Sequence, residues 1–295
     1  MAATAATALP LAQAKEVEDT APRAGAARPR AGGLKLRLAS AFVLMPFAIA
    51  AVWFGGWALA ALVVLAAAGM GWEWARLSGV ASGLVRAAVI AAGPAAALLA
   101  AASAPLYALL LAAAVSVGVA ALARDAAAPA PVWTAAGTLW LSIPCIALLW
   151  IAAGEAGRLL LLWLFAVVWA SDAGAYAFGR ALGGPRLAPR LSPNKTWSGA
   201  LGGLACAGIV GLAAALIVGA APVAVVALSF VLSGLAQGGD LAESLAKRRF
   251  GAKDSGALIP GHGGLLDRLD SLLTATAGLG ALLLLGWGPN FAAHP

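Results

Sequence analysis

The chain has 295 residues, of which 62% are hydrophobic and 11% charged, whereas a soluble domain carries charge at about a quarter of its positions. That balance excludes an ordinary water-soluble globular protein and predicts an all-α, polytopic transmembrane helical bundle. Basic residues outnumber acidic ones 19 to 12. A membrane chain gathers Lys and Arg on its cytoplasmic side, so the excess calls for no nucleic-acid partner.

In chain order, residues 1–34 are rich in Ala, Pro and Arg without an apolar periodicity, and read as a disordered cytoplasmic tail. Their charged middle interrupts any continuous apolar stretch, which argues against a cleaved signal peptide. About nine spans follow, near 38–54, 57–73, 84–102, 104–122, 133–152, 159–178, 199–218, 221–238 and 269–287. Lys35, Arg37, Arg76, Arg86 and Arg124, and the clusters after spans six and eight, fall on one side. Only Arg158 falls on the other. The pattern predicts a cytoplasmic N-terminus, cytoplasmic loops after spans six and eight, and an external C-terminus.

Residues 35–160 read as a transmembrane scaffold and 161–290 as the region that carries chemistry. Within the scaffold, Trp72-Glu73-Trp74-Ala75-Arg76 reads as an interfacial aromatic belt with a solvated ion pair. Cys145 and Cys206 lie in apolar runs and suit neither a disulfide framework nor a zinc spacing. The two histidines, His262 and His294, are too few for a His-rich metal cluster.

Polar residues gather in three places. Asp172 is an ionisable residue within a span, which marks a functional site by default. Helical spacing puts Tyr176, Gly179 and Arg180 on its face. The alternative is an Asp172 wetted at the span end or paired with Arg180. The second place is Ser192-Pro193-Asn194-Lys195-Thr196. Ser and Pro suit a helix start there, which would set Lys195 and Thr196 at an N-terminus where phosphate binds. Contact with anionic lipid head groups explains the same residues equally well. The third place, 237–271, is too polar to span a membrane. If it is helical from Asp240, then Asp240, Glu243, Ser244, Lys247 and Arg248 form one stripe. Asp267 and Asp270 make a second pair, and Pro260-Gly261-His262-Gly263-Gly264 forms a non-helical turn whose amides can approach a ligand. Glu243 and Arg249 read, taken singly, as solvated interfacial charges, and Lys195 and Lys247 as solvent-reachable lysines. Asp240 and Asp267 suit Mg²⁺, which is held by one or two carboxylates together with substrate phosphates. The assembly suits metal-assisted phosphate chemistry.

Ser244-Leu245-Ala246-Lys247-Arg248, Lys253-Asp254, His262-Gly263-Gly264 and Asp267-Arg268-Leu269-Asp270 resemble the signature of the phosphatidate cytidylyltransferase family. Asp172, Tyr176, Gly179, Arg180 and Ser192–Thr196 resemble its more N-terminal motifs. The likeness covers roughly 165–275; the first 160 residues are similar only in hydropathy. The resemblance implies an inner-membrane enzyme that joins CTP and phosphatidate into CDP-diacylglycerol and pyrophosphate. It implies Mg²⁺ on Asp240 and Asp267, with K⁺ as a second ion, and a homodimer. It implies catalytic roles for Asp240, Asp267, Lys247, Arg248 and Asp270. Substrate binding would fall to Asp172, Tyr176, Arg180, Ser192, Lys195, Thr196, Ser244, Lys253, Asp254, His262, Gly263, Gly264 and Arg268. Ser198 stands where family members often carry Glu. The Asp-Gly, Ala-Arg and repeated-Asp motif of the enzymes that consume CDP-diacylglycerol is absent. A transporter using Asp172 would not require the polar segment from Asp240 to Asp270.

Overall fold

The computed structural model describes residues 45–125, 130–259, 263–289 and 291. The expected tail 1–34, the start of the first span and His262 lie outside the described residues. Among those residues there are nine helices: α1 (Met45–Phe54), α2 (Gly56–Leu77), α3 (Gly83–Ala101), α4 (Pro105–Asp125), α5 (Pro131–Ala152), α6 (Gly157–Leu182), α7 (Trp197–Val218), α8 (Pro222–Arg249) and α9 (Leu266–Leu284). The seven from α2 to α8 are long and apolar enough to cross a membrane. In α9, Asp267, Arg268 and Asp270 crowd the first turn, so its apolar part is shorter than a bilayer requires.

Local chemistry sets the helix ends. Pro131 and Pro222 occupy the first turns of α5 and α8, where a missing N–H costs nothing. The Ser82 hydroxyl caps α3 by accepting from the Val85 N–H. Gly219 stops α7 at φ 67°, a left-handed conformation that glycine adopts without strain.

The helices α2, α3, α4 and α5 pack in succession. The helices α6, α7 and α8 form a second group, and α9 lies against α8, α5 and α6. Small residues let α6 and α7 approach closely: a side chain added at Gly199 or Gly203 would run into the Ala175 or Ser171 carbonyl. Such contacts drive association where lipid removes the hydrophobic incentive.

Between α6 and α7 the chain departs from the sequence expectation. Ser192 and Pro193 do not start a helix. Residues Ser192–Thr196 form a strand, β2, antiparallel to β1 (Arg186–Ala188), with Arg186 opposite Thr196 and Ala188 opposite Ser192. A two-stranded ribbon has only edges, where Pro193 removes no needed ladder bond. The cap is Thr196, whose Oγ1 accepts from the Gly199 N–H at 3.1 Å, so Lys195 still sits one residue before a helix N-terminus. On the other side, α8 continues unbroken from its apolar part to Arg249, and the stripe from Asp240 to Arg248 is helical.

Candidate active site

A cavity of about 960 Å³ opens where these polar segments meet. From α6 come Asp172, Tyr176 and Arg180, and the ribbon contributes Arg186, Ser192, Asn194, Lys195 and Thr196. Helix α8 contributes Gln237, Asp240, Glu243 and Lys247; Asp254 follows from the loop, and Asp267, Arg268, Asp270 and Ser271 from the first turns of α9. Three stretches far apart in sequence thus line one space. Arg180 Nη1 donates to the Tyr176 hydroxyl at 3.0 Å, so Arg180 is engaged within its own helix face. Ser244, Arg248 and Lys253 do not line this cavity; Arg248 and Lys253 are exposed.

Two lysines organise the carboxylates. Lys195 Nζ lies 2.5 Å from Asp240 Oδ2, with both side chains partly exposed. Lys247 is buried deeper and bridges Glu243 Oε2 and Asp267 Oδ1 at 2.7 Å each. Its side chain keeps only 13% exposure, yet it still lines the cavity. Glu243, at 1% exposure, is no solvated interfacial charge. Asp267 Oδ2 also accepts from the Ser255 and Gly264 N–H groups, both at 3.1 Å. Burial alone raises the Asp267 pKa, but the Lys247 hydrogen bond and charge and the Ser255 amide outweigh it and hold the carboxyl below its ordinary value.

Gly263 and Gly264 serve this arrangement through backbone. Gly263 adopts φ 87°, and its carbonyl accepts from the Ile259 N–H. A Cβ on Gly264 would overlap the Ser255 hydroxyl, so the backbone can pass Ser255 here only with glycine at 264.

Carboxylate oxygens of Asp240, Glu243 and Asp270 lie within 4.8 Å of one another. Glu243 Oε1 is buried without a hydrogen-bond partner, and a buried unpaired carboxylate oxygen is costly. A hard divalent cation with oxygen ligands fits this group. Of the pair expected to hold metal, Asp240 belongs to it; Asp267 stands on the same turn as Asp270 and is tied to Lys247. Glu243 and Glu73 were missed as site residues. For Glu243 the available signal was its i+3 position after Asp240 in the stripe. Glu73 is fully buried rather than solvated. Arg76 lies 4.6 Å over the Trp72 ring instead of pairing with it.

Residues 35–285 match the cytidylyltransferase family. The chain belongs to that family. Phosphatidate cytidylyltransferase of Brucella suis biovar 1 is 51% identical over 148 residues, which cover 49% of this chain and 54% of that protein. The enzymes so named from Staphylococcus saprophyticus and Haemophilus influenzae are 47% and 46% identical over 126 and 132 residues. They cover 42% and 40% of this chain and 48% and 43% of their own lengths. The aligned stretch spans about half the length of these curated relatives.

Proposed function

We propose that this cytidylyltransferase transfers the cytidylyl group of CTP to phosphatidate, giving CDP-diacylglycerol and pyrophosphate. The observation that carries the reading is a junction of two cavities. The polar one adjoins an apolar one of about 300 Å³, lined by residues such as Met45, Leu59, Met70, Phe165 and Leu272, and the two share Asp172, Arg268 and Ser271. A water-soluble triphosphate and a lipid phosphate can meet at such a border, each from its own solvent.

Lys195, beside the capped start of α7, and Arg186 receive triphosphate oxygens, and Arg268 faces the lipid phosphate across the border. A phosphatidate oxygen then attacks the α-phosphorus as pyrophosphate departs on the opposite side. The protein's part is alignment of those oxygens and neutralisation of charge. Asp240, Glu243 and Asp270 would hold Mg²⁺, with Asp267 setting Lys247 beside them; K⁺ as a second ion rests on the family resemblance alone. A divalent ion held there would supply neutralisation of the charge that develops on the phosphate oxygens. The homodimer also rests on resemblance. Asymmetry of Lys and Arg supports an N-terminus and loops 180–198 and 240–268 in the cytoplasm; the inner membrane rests on the family resemblance.

Purified protein given radiolabelled CTP, phosphatidate and Mg²⁺ is expected to place label in a chloroform-soluble product. Absence of labelled lipid from folded protein would reject the reading.

A further inference from the structure

Glu73, at 0% exposure on α2, reaches across the bundle to the segment that delivers α9. Its Oε1 accepts from the Leu265 N–H at 3.0 Å. Its Oε2 accepts from the Leu266 N–H at 2.9 Å and the Ser255 hydroxyl at 3.2 Å. No side chain from α9's own start caps that helix, and orphan amides at a helix start need acceptors. Glu73 supplies them from 192 and 193 positions away, where its charge also suits the positive end of the helix dipole.

The contact is built for this group. A Cβ on Gly256 would overlap the Glu73 carboxylate. Ser255 is pinned twice, by its hydroxyl to Glu73 and by its amide to Asp267. Glu73 itself stands on a fixed support: the neighbouring Trp74 donates from Nε1 to the Thr134 carbonyl at 3.1 Å and packs edge-on against Trp140 and Phe250. The first turns of α9 then present Asp267, Arg268, Asp270 and Ser271 to the cavity.

We propose that Glu73 is a positioning residue, a buried carboxylate from the N-terminal bundle that caps α9 and thereby sets where Asp267 and Asp270 stand relative to Asp240. The inference rests on the cavity being the cytidylyltransfer site. Glu73→Gln keeps the volume but turns one acceptor oxygen into an NH₂ group, which faces a donor whichever way the amide is turned.

The test uses the full chain purified in detergent. Glu73→Gln is expected to lower kcat by about 10- to 100-fold, the usual cost of a displacement near 1 Å, with KM for CTP within about threefold of wild type. Two readouts need no turnover. Binding of Mn²⁺ alone, followed by electron paramagnetic resonance, should weaken by about 10-fold or more, as when a supporting residue around a metal is lost. Amides of 263–268 should lose protection from hydrogen exchange. Glu73→Asp, which keeps the charge on a shorter arm, should recover part of both. Ser255→Ala should shift Mn²⁺ binding the same way by a smaller factor, and it decides the matter if Glu73→Gln does not fold. Wild-type kcat and Mn²⁺ binding in folded Glu73→Gln would overturn the inference, as would unchanged Mn²⁺ binding in Ser255→Ala where only that variant folds. If wild type makes no CDP-diacylglycerol, the functional reading fails, while Mn²⁺ binding and exchange still judge Glu73.

Discussion

Replacing Asp240 by Asn nearly preserves volume and shape while removing one negative charge from the group of Asp240, Glu243 and Asp270. Its cost to the fold should be small. Asp240 forms an ion pair with Lys195, and the two side chains are 37% and 25% exposed; an ion pair so open to water contributes about 0–1 kcal/mol. The cost to chemistry should be large. Loss of a residue that merely supports a metal ligand costs about 10–100-fold, so loss of a ligand should cost at least about 100-fold. At 1.36 kcal/mol per decade this is about 2.7 kcal/mol of lost transition-state stabilisation. The assay is Mg²⁺-dependent incorporation of radiolabelled CTP into lipid, beside thermal melting in detergent. Asp240→Asn should melt close to wild type yet make at most about a hundredth of the product. Adding Asp270→Asn should make it little worse, because residues that act as a unit are not additive. Near-normal Mg²⁺-dependent synthesis by Asp240→Asn would refute the assignment of this carboxylate to the cation.

The two lysines should separate by burial. Lys195→Ala should lower kcat/KM for CTP by about tenfold through loss of a charged phosphate contact while melting normally. Lys247→Ala should destabilise the protein by about 3–5 kcal/mol, because it leaves the buried Glu243 and Asp267 carboxylates without the cation they share; equal melting of the two variants would contradict this. Because the Asp267 pKa is depressed in the fold, its contribution is fully present above the unfolded value of about 3.9 and is lost as pH falls through the lower folded value. The melting deficit of Asp267→Asn against wild type should therefore stay constant from pH 7 down to about 4 and shrink below that; a deficit that fades near pH 6 would contradict it. Single cysteines placed in 180–198 or 240–268 should resist an impermeant thiol reagent added to intact cells, and labelling there would reverse the proposed topology.

Much of the molecule was legible because a bilayer imposes a simple code. Apolar runs of about 20 residues must be helices, since lipid offers no partner for backbone polar groups, and seven of the expected spans correspond to α2–α8, while the last became α9, whose apolar part falls short of a bilayer. The polar residues that line the cavity were legible for a related reason: charge is costly in lipid, so Asp172, the Asp240 stripe and the Asp267 pair stood out against Ala and Leu. Local pattern misled where two local rules competed. Ser192 and Pro193 suit a helix start as well as the edge of a ribbon, and pairing with Arg186–Ala188 decided for the ribbon. Burial was not legible at all. The spacing of Glu243 and Lys247 along α8 places them on one face but does not say that Asp267 meets Lys247 there. Glu73, read by its neighbours as a wetted interfacial charge, becomes a fully buried acceptor only because α9 brings two amides to it from beyond residue 260. The sequence by itself determined which segments are apolar enough to enter a membrane and where polar residues gather against them, since both follow from transfer free energies read residue by residue. The meeting of α2, α8 and α9, and with it the cation-sized group of carboxylates, was decided by tertiary packing, because contacts between distant segments depend on how helices cross.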